Sequence, residues 1–132
     1  QRAPSFGTRD LVMVAWACAR MELRHEALMC SMASRAAEQL PELRPQDMVN
    51  VAWSLAKSRA QEQQLMQELA GRLAEEAEEL NAQDAANCAW AFAAAEVHSG
   101  PLMRAVAALA VRNTADFGPQ EIGSVAWAHA WP

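Results

Sequence analysis

The chain has 132 residues, of which 52% are hydrophobic but only 6% aromatic and 20% charged, and its formal charge is −5. An apolar fraction built largely from alanine favours closely packed helices over a β-sandwich, which draws on β-branched and aromatic residues. The negative balance excludes a surface that binds polyanions everywhere, though it leaves room for a local groove, and no apolar run reaches the ~18 residues of a membrane span.

Taken in chain order, the predicted elements alternate between two kinds of helix. The first helix, near 8–20, opens with Phe6, the cap position Gly7 and, three residues on, Asp10. An acid at the third helical position accepts the cap residue's backbone N–H and sits against the positive end of the helix dipole. After a polar link from Met21 to His25, Leu28, Met32, Ala36 and Leu40 carry the helical spacing of a second helix near 26–40. The next unit repeats both signals. Leu43, Arg44 and Asp47 open a helix near 45–58, with Pro45 at the first helical position where its missing N–H costs nothing. Leu65, Leu69, Leu73 and Ala77 mark a helix near 62–79. Leu80, Asn81 and Asp84 then open a helix near 82–95, the Gly100-Pro101 break precedes one near 101–115, and Phe117, Gly118, Pro119 and Glu121 open a last one near 119–131.

The units are copies of one another. Trp16, Trp53, Trp90 and Trp127 are spaced by 37 residues, each preceded directly by alanine and followed three residues later by another. The pairs Leu28-Met29, Leu65-Met66 and Leu102-Met103 keep the same offset. A lone helix pair leaves an apolar face uncovered, so pairs of fixed period stack. The expected fold is therefore all-α, a right-handed α-solenoid of antiparallel helix pairs with seven helices. It forms one unit over 1–132, with repeats at about 6–42, 43–79 and 80–116 and a half repeat at 117–132.

The repeat assigns roles by position. With the repeated acid (Asp10, Asp47, Asp84, Glu121) at zero and about 100° per residue, positions one, four, five and eight residues on share a face. This face holds Leu11, Val14, Ala15, Cys18 and their equivalents and is the expected core, with His129 in a core-facing slot. The tryptophans fall at its border, where they read as wedges between repeats in preference to platforms on which bases stack. Cys18 and Cys88 read as small core residues and Cys30 as a solvent-facing thiol; without CxxC spacing the cysteines indicate no disulfide framework or zinc site. No HExxH, Ser/His/Asp set or phosphate-cradling glycine loop is present, so the chain is expected to be no enzyme and to need neither metal nor cofactor.

The opposite face comprises the positions one before the acid and three, seven and ten after it. It carries Arg9, Met13, Ala17 and Arg20, then Gln46, Asn50, Ser54 and Lys57, then Gln83, Asn87, Ala91 and Ala94, and finally Gln120, Ser124, Ala128 and Trp131. Asn and Gln both donate to and accept from base edges, so amides at a fixed pitch suit a single-stranded RNA reader, with Arg9 and Arg20 on phosphates. The same residues also make an ordinary solvated face. Glu38, Glu42, Glu75, Glu76, Glu78 and Glu79 place the negative charge on the second-helix layer.

The stretches LRPQDMVNVAWSLAK, LNAQDAANCAWAFAA and FGPQEIGSVAWAHAW resemble the first helix of octotricopeptide repeats, the paired-helix repeats of organelle gene-expression factors. They are similar also to the repeats of FAST-kinase-type mitochondrial RNA proteins. The resemblance implies an α-solenoid that binds RNA in a mitochondrion or plastid and supports transcript stability, processing, translation or ribosome assembly. The alternative expectation is a protein-interaction scaffold within a larger organellar assembly. The apolar end at Ala126, Trp127 and Trp131 is expected to make the isolated chain associate.

Overall fold

The computed structural model describes residues 7–130; Phe6 and Trp131 lie outside them. Among the described residues the chain forms seven α-helices and no strand: α1 (Thr8–Arg20), α2 (Glu26–Glu38), α3 (Pro45–Lys57), α4 (Gln63–Glu75), α5 (Ala82–Ala94), α6 (Gly100–Arg112) and α7 (Pro119–Ala130). Corresponding helices begin 37 residues apart throughout.

The capping acids set the helix starts. Asp10 accepts the Gly7 N–H at 3.3 Å, Asp47 the Arg44 N–H at 3.4 Å and Glu121 the Gly118 N–H at 2.8 Å. At Gly118 a Cβ would stand only 2.8 Å from the Glu121 carboxylate, so glycine admits its close approach. In α5 the roles change, because the Asn81 side chain itself accepts the Asp84 N–H at 2.7 Å. The first helices end alike. Glu22, Arg59 and Glu96 adopt left-handed backbone with φ of 58°, 58° and 60°. The next N–H reaches back to close the last turn: Leu23 to the Cys18 carbonyl, Ala60 to Leu55 and Val97 to Phe92, each at 2.9 Å.

The second helices are shorter than their periodicity predicts. Each stops at Glu38, Glu75 or Arg112, and after one residue the chain tightens into a 3-10 turn at Leu40–Glu42, Ala77–Glu79 or Thr114–Asp116. The tighter turn reverses the chain within a few residues and drops Leu43, Leu80 and Phe117 into the core, where they are buried.

Packing runs from neighbour to neighbour. α1, α3, α5 and α7 lie side by side in one layer, while α2, α4 and α6 cover them, each touching the first helix of its own unit. Contacts that reach only adjacent units define a solenoid. Helix pairs joined by short turns pack antiparallel. Met48, Val51, Ala52 and Leu55 of α3 and Ala85, Cys88, Ala89 and Phe92 of α5 are completely buried, as the core face requires.

The flanking helices correct that assignment in a consistent way. Val14 in α1 is exposed and Cys18 half-buried, and in α7 Ile122, Ala126 and His129 are exposed. Burial at these positions depends on an adjacent unit. Positions four and seven after the acid face the preceding unit, so they are least buried in α1. Those one, two, five and eight after it are most exposed in α7, where no described helix follows. His129 is accordingly not a core residue; its ring nitrogens lie 2.8 Å from the Val125 carbonyl and 2.9 Å from that of Met103.

Polar contacts tie successive units. The Arg72 guanidinium donates to the Leu40 carbonyl at 2.8 Å and to Glu76 at 2.8 Å, and Arg112 lies 3.7 Å from Glu78. The acids also sit differently from expectation. Glu42, Glu78, Glu79 and Asp116 occupy the 3-10 turns, with Glu38, Glu75 and Glu76 beside them. The negative charge therefore gathers along the edge formed by the turns between units rather than over the second-helix layer.

Candidate nucleic-acid interface

On each first helix one stripe faces away from the second-helix layer. The positions one before the acid and three, six and ten after it fall within about 60° of helix circumference at 100° per residue. They hold Arg9, Met13, Trp16 and Arg20 on α1, Gln46, Asn50, Trp53 and Lys57 on α3, Gln83, Asn87, Trp90 and Ala94 on α5, and Gln120, Ser124 and Trp127 on α7. None of these residues is acidic.

The stripe differs from the expected one at a single position. Seven residues after the acid, Ser54, Ala91 and Ala128 are buried, because these small side chains are the contact with the preceding first helix. Ser54 has no exposed surface, and its hydroxyl donates to the Asn50 carbonyl at 2.7 Å. It is thus a packing residue and no candidate for touching RNA. The tryptophan, assigned only to the border of the core, takes its place on the surface. A large ring half-buried beside a row of small residues is the signal that separates the two positions.

The tryptophans form a column. Trp16 and Trp53 have ring centroids 6.1 Å apart at an interplanar angle of 42°, and Trp53 and Trp90 repeat this at 6.1 Å and 40°. At this separation and tilt, intermediate between offset stacking and edge-to-face, the rings are close enough to interact. No base slips between them, so the column welds adjacent units and presents a continuous aromatic edge. The Arg20 guanidinium caps it, 5.2 Å from the Trp16 centroid.

Several polar residues of the stripe already hold partners. Arg9 pairs with Asp47 of the next unit at 3.4 Å, and the Gln46 amide donates to the Glu79 carbonyl at 3.0 Å. Both remain exposed, as do Arg20, Lys57, Gln83 and Gln120, whereas Asn50, Asn87 and Ser124 are half-buried in the row. The structure thus brings Arg9, Gln46, Asn50, Lys57, Gln83, Asn87, Gln120 and Ser124 into one surface and leaves out Ser54.

Cys88 is completely buried, and its thiol is pushed up to about 12 by burial and secondarily by the Asp84 carboxylate; burial also raises Asp84. Among the described residues no group of three His, Cys, Asp or Glu side chains is placed to hold a metal ion, and no helix is long and apolar enough to cross a membrane.

The model of the RNA-editing substrate-binding complex 6 protein family, RESC6, matches residues 1–128. The chain belongs to the RESC6 family. No curated protein matches it significantly. The RESC6 match extends from the first unit into α7, so every residue of the stripe lies within it.

Proposed function

We propose that this RESC6-family chain is a non-catalytic module that binds single-stranded RNA within a mitochondrial protein–RNA complex concerned with transcript processing. The observation that carries the reading is the acid-free stripe, with amides at one pitch alongside a welded aromatic column. Amide side chains match the mixed donor and acceptor edges of unpaired bases, and aromatic edges offer them apolar surface. The family's place in an RNA-editing substrate-binding complex supports the same class of ligand. The likeness of the first helices to octotricopeptide and FAST-kinase-type repeats supports both the RNA ligand and the mitochondrial setting. The contacts are assigned to Gln46, Asn50, Gln83, Asn87, Gln120 and Ser124 for bases and to Arg9, Arg20 and Lys57 for phosphates.

Fluorescence anisotropy with pooled short single-stranded RNA at low salt tests this. Binding is expected, weakened by Asn50→Ala combined with Asn87→Ala. An RNA that binds the double variant as well as the parent overturns the site, and absence of binding by the parent overturns the reading.

A second reading, a docking scaffold for a protein partner, is favoured by one observation. Ile122 and Trp127 of α7 are 47% and 40% exposed, and apolar surface of this kind mediates protein association. Affinity capture with and without ribonuclease separates the readings, since partners of a scaffold survive the treatment.

A further inference from the structure

A cleft of 670 Å³ opens beside the stripe between the second and third units. It lies where the turn joining α3 to α4 meets the end of α5. Lys57, Arg59, Gln61 and Gln63 line one side, and Trp90 lines the other. Two acids, Glu62 and Glu96, also border it. Its volume is that of a site for a small organic ligand, which ordinarily occupies about 300–1,000 Å³.

Two features fit this cleft for a ligand, the first of which its neighbours lack. The first is the convergence of two cations and an indole. One repeat earlier, Arg20, Glu22 and Trp53 occupy the places of Lys57, Arg59 and Trp90; one repeat later they are Ala94, Glu96 and Trp127. Lys57 and Arg59 also border a cleft at the first junction, beside Glu22 and Arg24; the middle cleft adds the indole of Trp90 to them. The second is preorganisation. Arg59 sits in the left-handed conformation, pinned by its N–H to the Ala56 carbonyl at 3.1 Å and by the following N–H of Ala60 to Leu55 at 2.9 Å. A side chain carried on a backbone held this way loses less freedom on binding than one on a mobile loop.

The charge distribution selects the same side of the molecule. The turns between units hold Glu42, Glu75, Glu76, Glu78, Glu79 and Asp116, which Arg44, Arg72 and Arg112 offset only in part. Along the turns within units, by contrast, Arg20, Arg24, Lys57 and Arg59 offset Glu22, Glu26, Glu62 and Glu96. A polyanion is repelled from the first edge and tolerated at the second.

We propose that the cleft between the second and third units holds one nucleotide of the bound single strand, its base against the indole of Trp90 and its phosphates on Lys57 and Arg59. At this nucleotide the backbone passes on the side of the turns within units, away from the acidic edge. This rests on the RNA reading above. It goes further by assigning Arg59, which lies outside the stripe, and by fixing the side on which the backbone passes. Lys57 and Arg59 are exposed, so their removal leaves the helices packed.

The test measures binding of a fluorescein-labelled, random-sequence single-stranded RNA to the full 132-residue chain over a range of salt. Lys57→Ala with Arg59→Ala is expected to weaken binding. It should also lower the slope of log affinity against log salt by about 1.4, roughly 0.7 for each single-strand phosphate that the variant no longer neutralises. Arg104→Ala, on the outer helix α6, should leave both unchanged. Zero-length ultraviolet crosslinking followed by mass spectrometry is expected to attach RNA at Trp90. Unaltered affinity and slope in the double variant, with the parent still binding, overturns the cleft while sparing the RNA reading. A parent chain that binds no RNA overturns both.

Discussion

Asp84 and Asp47 occupy equivalent positions in successive helices, yet their surroundings give them different consequences. Asp47, the more buried of the two, accepts the Arg44 N–H and faces Arg9 across the unit boundary, whereas at Asp84 the Asn81 side chain takes over the capping bond. Asp47→Asn is expected to cost roughly 1–2 kcal/mol at neutral pH, the usual loss for a capping or charge-assisted hydrogen bond. Asp84→Asn should cost less, because burial already penalises that carboxylate. The sign with pH follows from the raised folded-state pKa. Protonated Asp84 is favoured by folding, so its contribution is complete below the unfolded value and lost as pH rises through the folded one. Urea unfolding from about pH 3 to pH 6 should show the parent losing stability relative to Asp84→Asn as pH increases.

The helices themselves are largely legible in the amino-acid pattern, and the reasons are local. A capping acid three residues after the cap, with Pro45 or Pro119 between them, marks a start whatever the rest of the fold does. The ends of the second helices are less legible, since Leu40 and Ala77 continue the apolar stripe through residues that lie in 3-10 turns. Ser54 is illegible for a different reason. Its small polar side chain suits a wet face or a tight helix contact equally, and only the neighbouring helix decides; the exposure of Val14 and Ile122 is set by the same dependence on a neighbour. The tight contact is testable. Ala91 is completely buried where α5 meets α3, so Ala91→Leu should overpack the seam and destabilise the chain by about 1–3 kcal/mol in thermal or urea unfolding. Met13→Leu, on the exposed stripe of α1, should change little.

For the molecule as a whole, stability is the sum of similar junctions rather than the property of one central core. That makes the two flanks unequal to the middle. α7 carries the exposed Ile122 and Trp127 where α3 and α5 are covered. Sedimentation velocity of the 132-residue chain is expected to show concentration-dependent association that Ile122→Glu suppresses. A monomer at every concentration would show that this surface is too small to drive pairing. The position of the candidate stripe is readable from the repeat but for the Ser54 position, whereas the cleft at Trp90 is not. It arises from residues of two turns and a helix end that meet only when units stack.

The tryptophan column has an optical consequence. Three indoles in van der Waals succession at a fixed tilt couple their excited states, so the near-ultraviolet circular dichroism of the chain should carry an exciton contribution that no isolated unit possesses. Coupling between transition dipoles falls with the cube of separation and depends on their mutual angle. Any ligand that winds or unwinds the solenoid would therefore change that signal without touching a single tryptophan, and the protein carries its own gauge of superhelical pitch.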